Sequence, residues 1–128
     1  MKTKEICIAV ALVLFLGLSL FSYLGIKSDA DEMLGLVDGA ISAIDAGDHA
    51  SAKARIDEAQ ARWQEIRHGW ELTCDHGELD VITGSFARAA AMAKSDQSLD
   101  ELGAELAALA AMIEHMPVRT APLIENII

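Results

Sequence analysis

The hydrophobic and polar residues divide the chain into one long apolar run and a longer part with helical spacing. The run extends from Ile6 to Ile26 and holds 21 consecutive residues without a formal charge. As a helix it would be roughly 30 Å long, the thickness of a bilayer's hydrocarbon core. We therefore interpret it as a retained transmembrane anchor. The alternative is a cleaved signal peptide, for which Ser28 and Ala30 offer a late cleavage site, although the run is longer than the apolar region of such peptides.

Positive charges near the ends of the run predict its direction across the membrane. Lys2 and Lys4 precede it, whereas Lys27 is the one cation directly after it and is followed by three acidic residues at 29, 31 and 32. The side richer in Lys and Arg stays in the cytoplasm. We predict a single-pass protein of the cell membrane, with residues 1–5 cytoplasmic, residues 6–26 in the membrane and residues 27–128 forming an extracytoplasmic domain.

After the anchor, apolar residues recur at helical spacing, and no alternating strand pattern of useful length is present. The four apolar stripes are Met33, Val37, Ala40 and Ile44; Ile56, Ala59, Trp63, Ile66 and Trp70; Leu79, Ile82, Phe86 and Ala93; and Leu99, Leu102, Leu106, Leu109, Ile113 and Met116. No proline separates the first stripe from the anchor, so one helix could run from the membrane into the domain. The pattern predicts an all-α fold, in which an N-terminal transmembrane helix is followed by a small antiparallel bundle of three to four helices.

Residues typical of helix ends separate the first three stripes. Gly47 suits the left-handed conformation that ends many helices, and Asp48 can cap the helix that follows. The phase of the apolar residues changes after the second stripe. We expect a turn near Cys74 and Asp75, with Asp75 as an N-cap and Glu78 as its partner three residues on.

Similar signals bound the last stripe. Ser98 and Glu101 fit a capping box, and Pro117 should close the helix. Pro122 then bounds a short tail, Leu123 to Ile128, which is too apolar to be a free end and is expected to pack.

Charge limits the partners of the domain. Residues 27–128 carry eight of the ten Lys and Arg and nineteen of the twenty Asp and Glu, a difference of −11. So acidic a surface repels phosphate backbones and anionic headgroups, which argues against nucleic acid and against a lipid-binding face. Cys74 is the one cysteine in the domain, since Cys7 lies in the anchor, so no internal disulfide is expected.

One region is dense in residue types that occur in functional sites. It contains Trp63, Trp70, His76, Glu78 and Asp80, which could form a ligand site in which the two tryptophans line a groove. A metal site would use His76 and Asp80, four residues apart on one helix face, with His68 or Cys74 from the preceding segment. The simpler interpretation is structural: Asp75 caps a helix, His76 bonds a backbone carbonyl, and the tryptophans are core residues whose indole N–H groups bond Glu78 or Asp80.

No arrangement of a nucleophile, a base and an orienting group is visible, and no glycine-rich phosphate loop is present. Ser85 and Ser95 lack the neighbouring residues that such chemistry requires. We therefore expect a protein that is not an enzyme and has no cofactor.

Several short motifs resemble a known family. They are Trp63…Trp70, Asp75-His76-Gly77-Glu78-Leu79-Asp80, Glu101-Leu102…Leu109 and Glu125-Asn126-Ile127. In this order they resemble domain of unknown function family 4363, small bacterial membrane proteins found mostly in Firmicutes. Gly77 departs from that family, which tends to carry a charged residue there. The resemblance covers nearly the whole chain and implies a membrane-anchored helical domain, but it implies no activity.

The sequence thus favours a non-enzymatic, anchored helical domain that binds a protein partner at the membrane surface. An alternative is a sensor that binds a metal or small ligand through His76 and Asp80. A third possibility is an accessory subunit of a larger membrane complex.

Overall fold

The computed structural model describes residues 2–95 and 99–120, with side chains described as far as Pro117, and this part of the chain is helical without strands. Its elements are α1 (Lys2–Asp45), α2 (His49–Trp70), α3 (His76–Lys94) and α4 (Leu99–Thr120). The all-α prediction is confirmed. The expected packing of the apolar tail and the cap at Ser98 lie outside the described residues.

The first helix has two parts with different surroundings. Over its 44 residues, the N-terminal part is long and apolar enough to cross a membrane, and none of that apolar window is buried in the bundle. From Ile26 onward, one face of the same helix is buried, as the first apolar stripe predicts. The apolar run and the first helix of the bundle are therefore one continuous element.

The four helices form a ring in which each contacts two neighbours. The second half of α1 packs against α2 and α4, and α3 packs against the same two helices from the other side. Short connections make successive helices antiparallel. The α2–α3 turn therefore lies at the end of the bundle from which the apolar part of α1 emerges.

The α1–α2 connection follows its sequence signals closely. Gly47 has a φ of 74°, the left-handed conformation that glycine adopts without strain. Its N–H donates to Ile44 O at 2.9 Å, and the N–H of Asp48 donates to Ala43 O at 2.9 Å, which is a Schellman motif. Asp48 Oδ1 then accepts from the N–H of Ser51 at 3.0 Å and caps α2.

The α2–α3 turn is also where the change in apolar phase predicts it. Trp70 O accepts from the N–H of Thr73 at 3.1 Å and from that of Cys74 at 2.8 Å, which reverses the chain tightly. Asp75 Oδ1 accepts from the N–H of Gly77 at 3.3 Å, so Asp75 is the N-cap of α3.

The end of the fourth helix differs from the prediction. α4 passes through Pro117 and ends at Thr120. Proline lacks the N–H that would bond four residues back, so it commonly ends or kinks a helix. Here Met116 and Pro117 are both buried. Their packing on the bundle holds the chain in helical conformation for three more residues.

The apolar stripes form one core. Every residue of the four stripes is buried except Ala93 and Leu99, which are half-buried against it. The largest fully buried side chains include Trp63, Trp70 and Phe86. The stripes therefore identify the core correctly from spacing alone.

We expect Leu106→Ala to lower the free energy of unfolding by roughly 2–5 kcal/mol, because removing a buried leucine leaves a cavity. Leu106 is 1% exposed in the middle of the α4 stripe. The measurement is denaturant unfolding of the full chain in detergent micelles, followed by circular dichroism. Val81→Ala is the matched control, since Val81 is 53% exposed. Equal effects of the two changes would contradict the assignment of the buried face.

Candidate functional site

Two tryptophans form the centre of the region that the sequence singles out. Trp63 and Trp70 lie seven residues apart on one face of α2, and neither is more than 1% exposed. Their rings meet edge to face, with centroids 5.2 Å apart and planes at 86°. Phe86 of α3 stacks on the other side of Trp63 at 6.2 Å. The pair is core and does not line a groove, as the structural interpretation predicts.

The indole N–H groups have different partners from those expected. Trp63 Nε1 donates to Thr83 Oγ1 at 3.0 Å, and Trp70 Nε1 donates to Asp29 Oδ2 at 3.2 Å. The expectation that Glu78 or Asp80 accepts these hydrogen bonds was wrong. Asp29 lies 41 residues from Trp70, on α1 just beyond the apolar run.

Thr83 connects Trp63 to the guanidinium group of Arg67. Its Oγ1 accepts from Trp63 and from Arg67 Nη1, the latter at 2.6 Å, and donates to Leu79 O at 3.0 Å. A hydroxyl has one proton to donate and two lone pairs, so this oxygen is fully used. Sequence reasoning missed Thr83, whose signal is its position four residues after Leu79 on the edge of the buried face of α3.

Arg67 also donates hydrogen bonds to two carboxylates. Nη2 donates to Asp80 Oδ1 at 2.6 Å, and Nε donates to Glu71 Oε1 at 3.3 Å. The hydrogen bond to Asp80 is the main cause that raises the pKa of Arg67, so the guanidinium stays charged. Asp80 of α3 therefore forms an ion pair with Arg67 of α2.

The other candidate metal ligands are not brought together. His68 and His76 are exposed, whereas Cys74 is buried. Burial raises the pKa of the Cys74 thiol, an effect that a hydrogen bond with Thr73 partly opposes. A raised pKa disfavours the thiolate that binds metals. Within the described residues, no three His, Cys, Asp or Glu side chains form a group that could hold a metal ion.

Glu78 belongs to a different surface from Asp80. It lines a groove of about 250 Å³ between the start of α3 and the end of α4, whose walls are mostly apolar. The lining residues are Glu78, Val81, Ile82, Ala111, Met112, His115 and Met116. Sequence reasoning missed this groove. Its one sequence signal is Val81, an apolar residue outside the stripe of α3 that is 53% exposed.

One protein-family model matches most of the chain. The model described as Domain of unknown function (DUF4363) matches residues 20–127. The chain belongs to this family. The match begins within the apolar run and includes all of α2 and α3, so the DUF4363 unit contains the junction between the apolar helix and the bundle. Neither the curated proteins nor the solved structures include a significant match.

In this DUF4363 protein, Asp29→Ala should lower the free energy of unfolding by about 1–3 kcal/mol, because the buried indole N–H of Trp70 loses its acceptor. Asp31→Ala is the matched control, since Asp31 is exposed on the same helix and surface changes usually stay within about 0.5 kcal/mol. Denaturant unfolding of both variants in detergent checks this. If the two aspartates prove equivalent, the Trp70–Asp29 hydrogen bond contributes nothing.

We expect zinc, manganese or a chelator to leave the thermal unfolding of the DUF4363 protein unchanged. A metal that binds the folded state would raise the melting temperature as its concentration increases. Thermal unfolding across a metal titration is the measurement. A saturable rise that disappears in both His76→Ala and Asp80→Ala would overturn the structural interpretation of this cluster.

Proposed function

We propose that this chain is a non-enzymatic, single-pass membrane protein whose helical domain binds a protein partner at the outer face of a bacterial membrane. One observation carries the proposal. The first helix exposes large apolar side chains along its N-terminal half and, without interruption, supplies one wall of the bundle core along its C-terminal half.

The exposed apolar side chains favour a lipid environment for the first half of α1. Phe15, Leu18 and Phe21 are each more than 60% exposed, and large hydrophobic residues around the whole helix are similarly uncovered. Soluble monomers rarely expose so large a contiguous apolar surface. A helix that is apolar on all sides is typical of a membrane span.

The structure of the same helix also favours retention of the anchor over its cleavage. A late cut after Ala30 would remove two core residues, because Ile26 is 4% exposed and Ala30 is 1% exposed. Such a cut would also release Asp29 with its hydrogen bond to Trp70. The bundle would lose its base, which argues that the anchor stays attached.

The excess of lysine before the run orients the domain outward, and this orientation predicts where a new cysteine can be labelled. Ala50 is exposed near the start of α2, at the end of the bundle far from the anchor. In a protein with Cys7→Ser, Cys74→Ala and Ala50→Cys, a membrane-impermeant thiol reagent should label intact cells. Labelling that requires membrane rupture would reverse the proposed orientation.

The burial of Ser85 supports the non-enzymatic assignment. Ser85 is fully buried, and its hydroxyl donates to Glu105 Oε1 at 2.8 Å, while Arg88 Nε donates to the same oxygen at 2.9 Å. This network joins α3 to α4. A serine held in this way cannot reach a substrate.

The α3–α4 groove is the surface that we assign to the partner. The groove offers apolar walls that include Met112 and Met116, and methionine adapts its shape to an incoming side chain. The surrounding domain has a net charge of −11 from nineteen acidic and eight basic residues. Charge complementarity therefore favours a basic protein segment that inserts an apolar side chain between the two helices.

Photo-crosslinking in cells tests this assignment. A photoreactive amino acid at position 81 should give one discrete product, whereas the same amino acid at position 50 should not give it. Ala111→Glu, which places a bulky charge in the groove, should abolish the product. Ala107→Glu, one turn earlier on α4 and also exposed, is the matched control.

Salt provides a second readout of the same contact. Because the proposed partner is basic, the yield of the product should fall as ionic strength rises. A product that forms equally from both positions, or that survives Ala111→Glu, would contradict a partner seated in the groove.

A further inference from the structure

We propose that the α2–α3 turn, residues 71–75, lies at the surface of the same membrane that holds α1, and that Leu72 enters the edge of its hydrocarbon core. The occupant of this surface is the lipid bilayer. The inference rests on the anchor proposed above and adds a second contact between the domain and the lipid.

The register between α1 and α2 shows how far along α1 the α2–α3 turn lies. A Cβ built on Gly39 would lie 3.3 Å from Nη1 of Arg55, so these two positions face each other. Seven residues earlier in α1, Glu32 forms an ion pair with Arg62, which is seven residues later in α2. One more step of seven in both helices brings Gly69 beside the last residues of the apolar run. The helix α2 therefore ends level with the end of the predicted span.

Two further observations agree that the end of α2 is level with the end of the apolar run. The side chain of a helical residue points back toward the N-terminus of its helix. Trp70 reaches Asp29 in this direction, so its own backbone lies nearer the membrane than Asp29 does. In addition, Ile26 is buried and Tyr23 is half-buried, which shows that the bundle covers α1 down to the last turn of the apolar run.

Leu72 stands at the tip of this turn. It is 89% exposed, more than any other exposed large hydrophobic residue in the described part of the chain, those of the apolar run included. The hydrogen bonds from Thr73 and Cys74 to Trp70 O hold the turn closed and leave the leucine pointing outward. A single exposed leucine has no special meaning in water. At this height, however, the neighbouring medium is lipid.

The two carboxylates beside Leu72 are each hydrogen-bonded within the protein. Glu71 accepts from Arg67 Nε, and Asp75 accepts from the N–H of Gly77, so both carboxylates have a partner within the protein. The acidic character of the domain weighs against a broad lipid-binding face, but a single apolar side chain at a closed turn needs no such face. The contact is therefore small, apolar and confined to the tip.

A second contact would restrict how the domain stands on the membrane. Because α1 is continuous, the bundle tilts with the anchor. The turn lies to one side of the α1 axis, so insertion of Leu72 limits how far the bundle can tilt away from that side. The α3–α4 groove then keeps a constant direction relative to the bilayer surface.

Spin-label depth measurements on the full chain test the proposal. The protein carries Cys7→Ser and Cys74→Ala and is reconstituted in phosphatidylcholine vesicles. A nitroxide is attached at one of three positions through Leu72→Cys, Leu24→Cys or Ala50→Cys. All three residues are exposed, so the changes should not disturb folding, which circular dichroism verifies. Oxygen concentrates in hydrocarbon and a nickel chelate stays in water, so their relative collision rates give depth.

The label at position 24 should have the oxygen-rich signature of hydrocarbon, and that at position 50 the signature of water. The label at position 72 should have an oxygen-to-nickel ratio several times that at position 50. A water-like signature at position 72, with a hydrocarbon signature at position 24, would refute the inference and leave the anchor in place. A water-like signature at both positions would refute the inference and the predicted end of the span at Ile26.

Discussion

A single helix has to satisfy two environments, and the rest of the structure depends on this constraint. The N-terminal half of α1 exposes apolar side chains in every direction, whereas its C-terminal half buries one stripe and presents polar residues elsewhere. No glycine or proline breaks the helix between the two parts, because its hydrogen bonds continue through Gly25 and past Lys27. The core of the bundle consequently begins where the apolar run ends, with Ile26 as its lowest buried residue on α1.

The base of the bundle is held by polar groups that satisfy one another. Trp63, Thr83, Arg67 and Asp80 form a chain of hydrogen bonds between α2 and α3, and the Trp70–Asp29 hydrogen bond joins α2 to α1. Every buried side-chain nitrogen or oxygen in the described residues has a partner. Such a network stabilises a single packing arrangement of the helices. Trp63, Trp70 and Asp80, which the sequence singles out, therefore contribute to the fold.

Two exposed apolar surfaces lie outside this hydrogen-bond network. The α3–α4 groove and the tip of the α2–α3 turn are apolar and exposed, and both lie in the half of the bundle nearer the apolar run. On the opposite side, the Arg62–Glu32 ion pair lowers the pKa of Glu32 through its hydrogen bond, which is typical of an exposed contact between helices. The proposed binding function requires surfaces of the first kind, and the proposed membrane attachment would limit how a partner approaches them.

Periodicity and local chemistry decided much of this structure without tertiary information. The spacing of apolar residues identified the core stripes, and the φ requirement of Gly47 and the capping groups of Asp48 and Asp75 located two connections, because each signal acts within a few residues. Local signals failed at Pro117, where burial overrode the preference of proline for a helix end.

Only the packing of the helices decided the partners of the indoles, the separation of Glu78 from Asp80 and the existence of the groove. These depend on which helices become neighbours and at what register, and Asp29 and Trp70 meet across 41 residues that carry no local sign of the contact. The sequence determined which face of each helix is buried, because burial follows from composition along one helix. Contacts between faces depend on distance in space, which only the tertiary structure sets.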